Sequence, residues 1–310
     1  MTDGTTSTKS GHRTLTRTLL EPFDAPDGGS SVFDAARHIP RTLADLAVPR
    51  PGGVSLRLTD HHVREALAPP DIATPDTPFA WSARTARRAL GLAGLRALIN
   101  GAARSPLDGV TTAMEDAVRA ARRGEAAASP MDRWLAGLPP AGRVAVQAAA
   151  GTWATRMWCA LDWSAFDEPP TIGRDHWWDS PHSSLLALRS RAEVRSVAKD
   201  RSGNPFSVHL VVLGGARRPT IRAELSVAAM VEVLCSPRSL PPGRMVGWWP
   251  DSGHLVTLEI DRLALDEGVA AVARTLAAAG PAAGPAAGPA AGPSTGSAPG
   301  DYQVAIRAAA

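Results

Sequence analysis

The sequence predicts an α/β protein, in which a mainly helical N-terminal region packs against a small mixed β-sheet with flanking helices. Three observations carry this. Residues 83–162 place apolar side chains at helical spacing between hydroxyl caps and prolines. Residues 186–213 change to strand alternation and then to an apolar run bounded by turn residues. From residue 223 to 261 a helical segment is followed by two strand-like segments around a turn.

Taken in order, residues 1–30 combine Ser, Thr, Gly and Pro with little periodicity and are expected to be a disordered leader. The polar stretch 1–18 lacks the apolar centre of a secretory signal. Residues 31–140 form the mainly helical region. Its first part, 31–77, reads as irregular, with one short helix over Asp60–Ala68. Ser82 is an N-cap for a helix over Ala83–Asn100, with Ala86, Leu90, Leu95, Leu98 and Ile99 on its apolar face and Asn100-Gly101 as its stop. Arg84, Arg87, Arg88 and Arg96 lie on its other faces, as phosphate contacts or, more plainly, as a solvated surface. Further helices are expected over Pro106–Arg123 and Pro130–Leu138. After Pro139-Pro140 a long one runs from Gly142 to Asp162, carrying Val144, Ala148, Trp153, Met157, Ala160 and Leu161.

Residues 141–279 form the α/β core. Asp175, His176, Asp179 and His182 fall within eight residues, and histidine nitrogens are good metal donors. An extended, proline-broken chain points alternate residues apart, so the segment reads instead as a strand edge and loop anchored by Trp177 and Trp178. An alternating segment, Leu186–Val197, leads through a turn at Lys199–Pro205 to an apolar strand, Val208–Leu213, and then to a helix over Ala223–Cys235. Arg244–Trp249 is a strand that turns at Pro250–Gly253 and returns over His254–Ile260. Alternation sends one of Trp248 and Trp249 to the core and the other to the opposite face, there to stack on a base or to lie under a second helical layer. From Gly280 the unit Gly-Pro-Ala-Ala repeats, which forbids a helix and makes 280–310 a flexible tail.

Composition narrows the classes. The 33 basic and 30 acidic residues leave a net charge of +3, and all but two of the basic residues are arginine. With abundant Ala, Gly and Pro this reads as high-GC bacterial coding bias, so arginine abundance alone does not argue for nucleic acid. Cys159 and Cys235 have no partner spacing and are read as buried free thiols in a reducing compartment. No apolar run is long enough to span a bilayer, and a soluble, cytoplasmic protein is expected. There is no Gly-x-Ser-x-Gly elbow, phosphate-binding loop, zinc-finger spacing or helix-turn-helix signature. Leu213-Gly214-Gly215-Ala216 is a glycine-rich turn, but the Arg217-Arg218-Pro219 that follows breaks the helix start a dinucleotide site requires.

The order helix, strands, helix, strands from Arg143 to Asp261, with Arg191-Ala192-Glu193-Val194 echoing a Gly-Arg-x-Asp-x-Val pattern, resembles the RecB-like branch of the PD-(D/E)XK nuclease superfamily. The resemblance implies a restriction-endonuclease-like core. In active members an acid on the second core strand and a Glu/Asp-x-Lys on the third hold Mg²⁺, which activates water and stabilises charge on the phosphate. Glu193 stands where the first acid belongs, whereas Val211–Ala216 offers neither carboxylate nor lysine. The only lysines, Lys9 and Lys199, lie off that strand, and Gln147–Ala150 occupies the stretch of the preceding helix where members often carry a glutamate. Arg217 or Arg218 could move into the site, but an arginine stays charged and shuttles protons poorly.

The resemblance therefore implies a catalytically degenerate protein that binds DNA, or a helicase or other nucleoprotein component, in DNA processing or defence. Arg189, Arg191 and Arg195 share a strand face with Glu193 by two-residue spacing and, with Arg217 and Arg218, are the expected phosphate contacts. Pairing of these arginines with Asp179, Glu224 or Glu259 is the competing reading. Two other functions stay open. One is a Mg²⁺-dependent nuclease using Glu193 with Asp179 and Glu224; the other is a scaffold subunit without nucleic-acid contact.

Overall fold

Local chemistry sets most element limits. Ser82, Ser105 and Ser129 each accept a backbone N–H through the side chain, opening α5 (Ala83–Ile99), α6 (Pro106–Arg122) and α7 (Pro130–Gly137). Pro106 and Pro130 lead those last two helices, and Pro140 leads α8 (Pro140–Ala160), at positions where the missing N–H costs nothing. The computed structural model describes residues 8–23, 30–47, 56–68, 81–183, 186–236 and 240–278. The expected tail at 280–310 lies outside the described residues.

Residues 8–20, 30–36 and 39–46 are helical where their composition predicts irregular chain. Within the expected disordered leader, α1 spans Thr8–Leu20 and buries Leu15 and Leu19. Within the expected irregular stretch, α2 (Ser30–Ala36) and α3 (Ile39–Leu46) bury Val32, Ile39 and Leu43. Short polar helices of this kind are held by tertiary packing rather than by propensity, which is why local pattern misses them. Next come β1 (Leu56–Leu58) and α4 (Asp60–Leu67), the latter as predicted.

Two sheets form, where the sequence suggested one. The smaller has the order β1-β4-β3, with β3 at Asp175–Asp179 and β4 at Leu186–Arg191; β1 runs parallel and β3 antiparallel to β4. The larger has the order β2-β5-β6-β7-β8, from Thr171–Ile172, Val194–Lys199, Pro205–Val212, Pro242–Trp249 and His254–Glu259. Only β6 and β7 are parallel in it, joined by the crossover helix α9 (Ile221–Cys235). The pairing of β1 with β4 ties the expected 31–140 region into the 141–279 core.

Both faces of the larger sheet are covered. Val194, Val208, Leu210, Val246 and Trp248 pack with residues of α1, α5, α6, α7 and α8. On the other side Met245 and Leu258 pack with α9, with α10 (Arg262–Ala278), and with α2 to α4. Trp248 and Trp249 are both buried, Trp248 within the cluster that includes the helices α1 and α5 to α8, so neither offers a stacking surface. The α10 helix, whose apolar positions include Ala264, Leu265, Ala271 and Val272, was not anticipated from sequence. Gly268 lets it approach α9, since a Cβ there would lie 2.7 Å from the Ser226 carbonyl oxygen. Cys159 is exposed rather than buried, and Cys235 is partly buried; both are free thiols.

Candidate functional site

The polar residues of interest converge where β4 gives way to β5. The alternating run 186–197 is not one strand: it breaks at Ala192-Glu193 and crosses from the smaller sheet to the larger. Alternation holds within each half but not across the break. Leu186, Leu188 and Ser190 turn towards α9, and Arg189 and Arg191 turn the other way, opposite Trp177 and Asp175 of β3 in the register. Arg195, expected on the same face as Arg189 and Arg191, instead buries its guanidinium on the α9 side, which corrects the single-face reading.

The first of two networks surrounds Glu193, which is fully buried. Its Oε1 accepts from Arg88 Nε at 2.6 Å, and its Oε2 accepts from the Val212 backbone N–H at 2.7 Å. Arg191 lies 3.9 Å from both Glu193 and Asp60. Arg189 donates to Asp60 at 3.1 Å and reaches Asp175 at 3.6 Å. The guanidinium carbons of Arg57 and Arg189 sit 4.8 Å and 5.6 Å from the Trp177 ring centroid, within cation–π range. Burial disfavours the charged form of Asp60, yet Arg191, Arg189 and Arg88 outweigh it and hold the carboxyl below its usual range. The same balance runs for Arg191: burial opposes its charge, and Glu193, Asp60 and Asp175 override burial.

A second network surrounds Glu232, a fully buried carboxylate on α9. Ser190 Oγ donates to it at 2.5 Å and Arg195 Nη2 at 2.6 Å, while His176 Nδ1 lies at 2.8 Å and His209 Nδ1 at 3.6 Å. Arg195 also donates to the carbonyls of Arg174 and Ala192. Burial opposes the Glu232 charge, but His209, His176 and Arg195 drive its carboxyl far below the ordinary range. Burial lowers the His209 imidazole to about 4, with Glu232 pulling only partly the other way. Ser207 Oγ is 3.1 Å from His209 Nε2, so hydroxyl, imidazole and carboxylate follow one another in relay order. All three are buried, however, and a hydroxyl that no substrate reaches is not a nucleophile.

The remaining predicted residues are dispersed. Glu224 is taken up by Arg218 at 2.5 Å and Thr220 at 2.7 Å; Glu259 pairs with Arg244 at 2.8 Å. Asp179 is exposed at the end of β3, and Arg217 is exposed in the loop after β6. The expected arginine–carboxylate pairs therefore exist, but with Asp60, Asp175, Glu193 and Glu232 as partners of Arg189, Arg191 and Arg195. Arg88, assigned from sequence to a solvated face, is the cation against Glu193.

These residues do not fit a Mg²⁺ site. Such an ion takes several oxygen ligands, and both oxygens of Glu193 are already bonded to nitrogen donors. Glu193, Asp179 and Glu224 have separate surroundings, and among the described residues no three His, Cys, Asp or Glu side chains are grouped to hold a metal ion. Nor, among the described residues, is any helix long and apolar enough to cross a membrane. No protein-family model matches the chain, and no curated protein matches it.

Proposed function

We propose that this chain is a catalytically inactive nuclease-like α/β protein that binds nucleic acid through an arginine-rich surface at the junction of its two sheets. The observation that carries the reading is the closure of Glu193. The carboxylate that the RecB-like resemblance would give to a metal is bonded instead to Arg88 and to the Val212 N–H, with Arg191 beside it. A guanidinium satisfies the charge that Mg²⁺ would otherwise satisfy, and it cannot activate water.

Topology supports the location. The β6–α9–β7 crossover sets two parallel strands side by side, and ligands of open α/β sheets gather outside the carboxyl ends of such strands. Val212, the last residue of β6, touches Glu193, and the exposed Gly214–Arg217 loop follows it directly. Arg57, Arg84, Arg87 and Arg174 add exposed positive charge on α5, β1 and the approach to β3.

The test is one titration of labelled single- and double-stranded DNA against the full chain, with Mg²⁺, Mn²⁺ or EDTA, across a salt series. Salt-sensitive binding without cleavage is expected, with the salt slope reduced by about one for each lost phosphate contact in Arg57→Glu and Arg217→Glu. Metal-dependent cutting that disappears in Glu193→Gln would overturn the inactive reading. Absence of any binding would favour a scaffold subunit.

A further inference from the structure

We infer that Arg191, with Arg88 and Arg189 beside it, is a seat for a phosphate monoester, so that the nucleic acid of the reading above, on which this rests, is held by a terminal phosphate. The first argument is unspent donors. Arg191 makes no hydrogen bond among the described residues, and its nearest carboxylate oxygens, on Asp60 and Glu193, stand 3.9 Å away. Arg88 Nη2 and Arg189 Nε are two of the five buried side-chain polar atoms without a partner among the described residues. Buried donors of charged groups are costly to leave unmet, and these two flank Arg191, whose 30% exposed side chain is the part of the cluster that an acceptor from outside can reach.

The second argument is preorganisation. Arg88 is tied to Glu193, Arg189 to Asp60 and Asp175, and Arg57 and Arg189 lie against Trp177. An incoming oxyanion meets guanidinium groups that are already ordered, and the planar fork of Arg191 matches two phosphate oxygens. Third, four arginines face three carboxylates, Asp60, Asp175 and Glu193, which leaves one surplus positive charge.

Ligand class follows from shape. The side chains of Arg88, Arg189 and Arg191 are 22, 23 and 30% exposed, so the cluster is recessed but open. A compact dianion at a strand end reaches into such a recess, whereas an internal diester is held back by a sugar on each side. Arg57 and Arg189 lie within cation–π range of Trp177, which is 36% exposed and helps to order them, and a seat that contacts phosphate alone recognises its ligand independently of sequence.

The test uses the full chain and two probes at constant ionic strength. Inorganic phosphate is titrated calorimetrically, and 12-nucleotide single strands carrying either a 5′-phosphate or a 5′-hydroxyl are titrated by fluorescence anisotropy. Saturable phosphate binding is expected, weakened about tenfold or more in Arg191→Gln, as loss of a bidentate charge-assisted contact implies. The same variant should erase a preference of about tenfold for the phosphorylated strand. Asp60→Asn, which removes the competing carboxylate, should bind phosphate about fivefold more tightly, and it decides the matter if Arg191→Gln does not fold. Equal phosphate affinity in parent and Arg191→Gln, or unchanged or weaker affinity in Asp60→Asn, overturns the seat. DNA binding without phosphate binding overturns the seat alone; phosphate binding without DNA binding keeps the seat and overturns the nucleic-acid reading.

Discussion

Replacing Glu232 by Gln keeps the shape of the side chain and removes its charge, which isolates the electrostatic role of the buried network. In the parent, Arg195 donates to Glu232 from Nε at 3.1 Å and from Nη2 at 2.6 Å, and Ser190 donates at 2.5 Å. Without the carboxylate, a guanidinium that is almost entirely buried loses its counter-charge but keeps the carbonyls of Arg174 and Ala192. Stranding one member of a buried ion pair costs about 3–5 kcal/mol, and those two carbonyls place the expected loss near the lower end. At about 2–4 °C per kcal/mol for a chain of this size, the transition should move down by roughly 6–12 °C. Urea unfolding followed by tryptophan fluorescence measures the free energy directly, since the chain holds nine tryptophans. Combining Glu232→Gln with Arg195→Met should cost clearly less than the two single losses added together, with a coupling of about 1.5 kcal/mol or more. A single-variant loss below about 1 kcal/mol, or an additive cycle, would refute the claim that Glu232 is the counter-charge of Arg195.

Stability should also fall with pH for a reason traceable to one residue. His209 titrates at about 4 in the folded protein against 6.5 when free, so between those values the unfolded chain binds a proton that the folded one refuses. The contribution is fully present above pH 6.5 and is lost as pH falls towards 4, amounting to about 3 kcal/mol. His209→Gln should flatten that window in urea titrations at stepped pH, and a slope unchanged by the variant would count against the buried neutral imidazole. Glu232 and Asp60, whose pKa values are depressed, lose their contribution only at lower pH, below their free values of 4.5 and 3.8. The two thiols should differ in reactivity as well. Burial, with Glu232 adding to it, pushes the Cys235 thiol up to about 11, so roughly one in a thousand is ionised at pH 8, whereas Cys159 is exposed. Iodoacetamide at pH 8 should label Cys159 first, as peptide mass mapping would show; faster labelling of Cys235 would contradict its placement at the end of α9, with its thiol 3.6 Å from the Trp177 carbonyl of β3.

Helices with hydroxyl caps and leading prolines were legible because those signals are local: Ser82, Ser105 and Ser129 open the helices expected from sequence. Strands of the core were legible by period, and the hairpin at Pro250–Gly253 by its turn residues. The site was legible only as types. Arg189, Arg191 and Glu193 were singled out and do share a network, but Arg195 was misplaced because alternation says nothing about a strand that breaks at Ala192-Glu193. Asp60 comes from α4, more than a hundred residues earlier in the chain, and no local pattern links it to Arg189. Glu232 did leave a signal, as the lone carboxylate in the apolar run Val227–Leu234, where a charge is tolerated only if partnered.

The two networks also explain each other. They lie on opposite sides of the β4 strand and share the same break: Arg191 and Glu193 turn one way, Ser190 and Arg195 the other. A strand that leaves one sheet and enters another must turn polar backbone and side chains inward at the crossing, and each buried charge there needs a partner. In the α9-side network Glu232 accepts from a serine and an arginine and lies against two histidines, which makes it a structural joint, although His209 Nδ1, 3.6 Å away, has no hydrogen-bond partner among the described residues. Around Glu193 the need is met only in part, since among the described residues Arg88 Nη2 and Arg189 Nε have no partners and Arg191 stands 3.9 Å from its nearest acids. Unmet atoms alone therefore do not separate the two networks. The outward one differs in that its unmet atoms belong to charged guanidinium groups on side chains 22 to 30% exposed, whereas the unmet nitrogen of the other is on a buried imidazole, and that difference is the reason to look for an anion there.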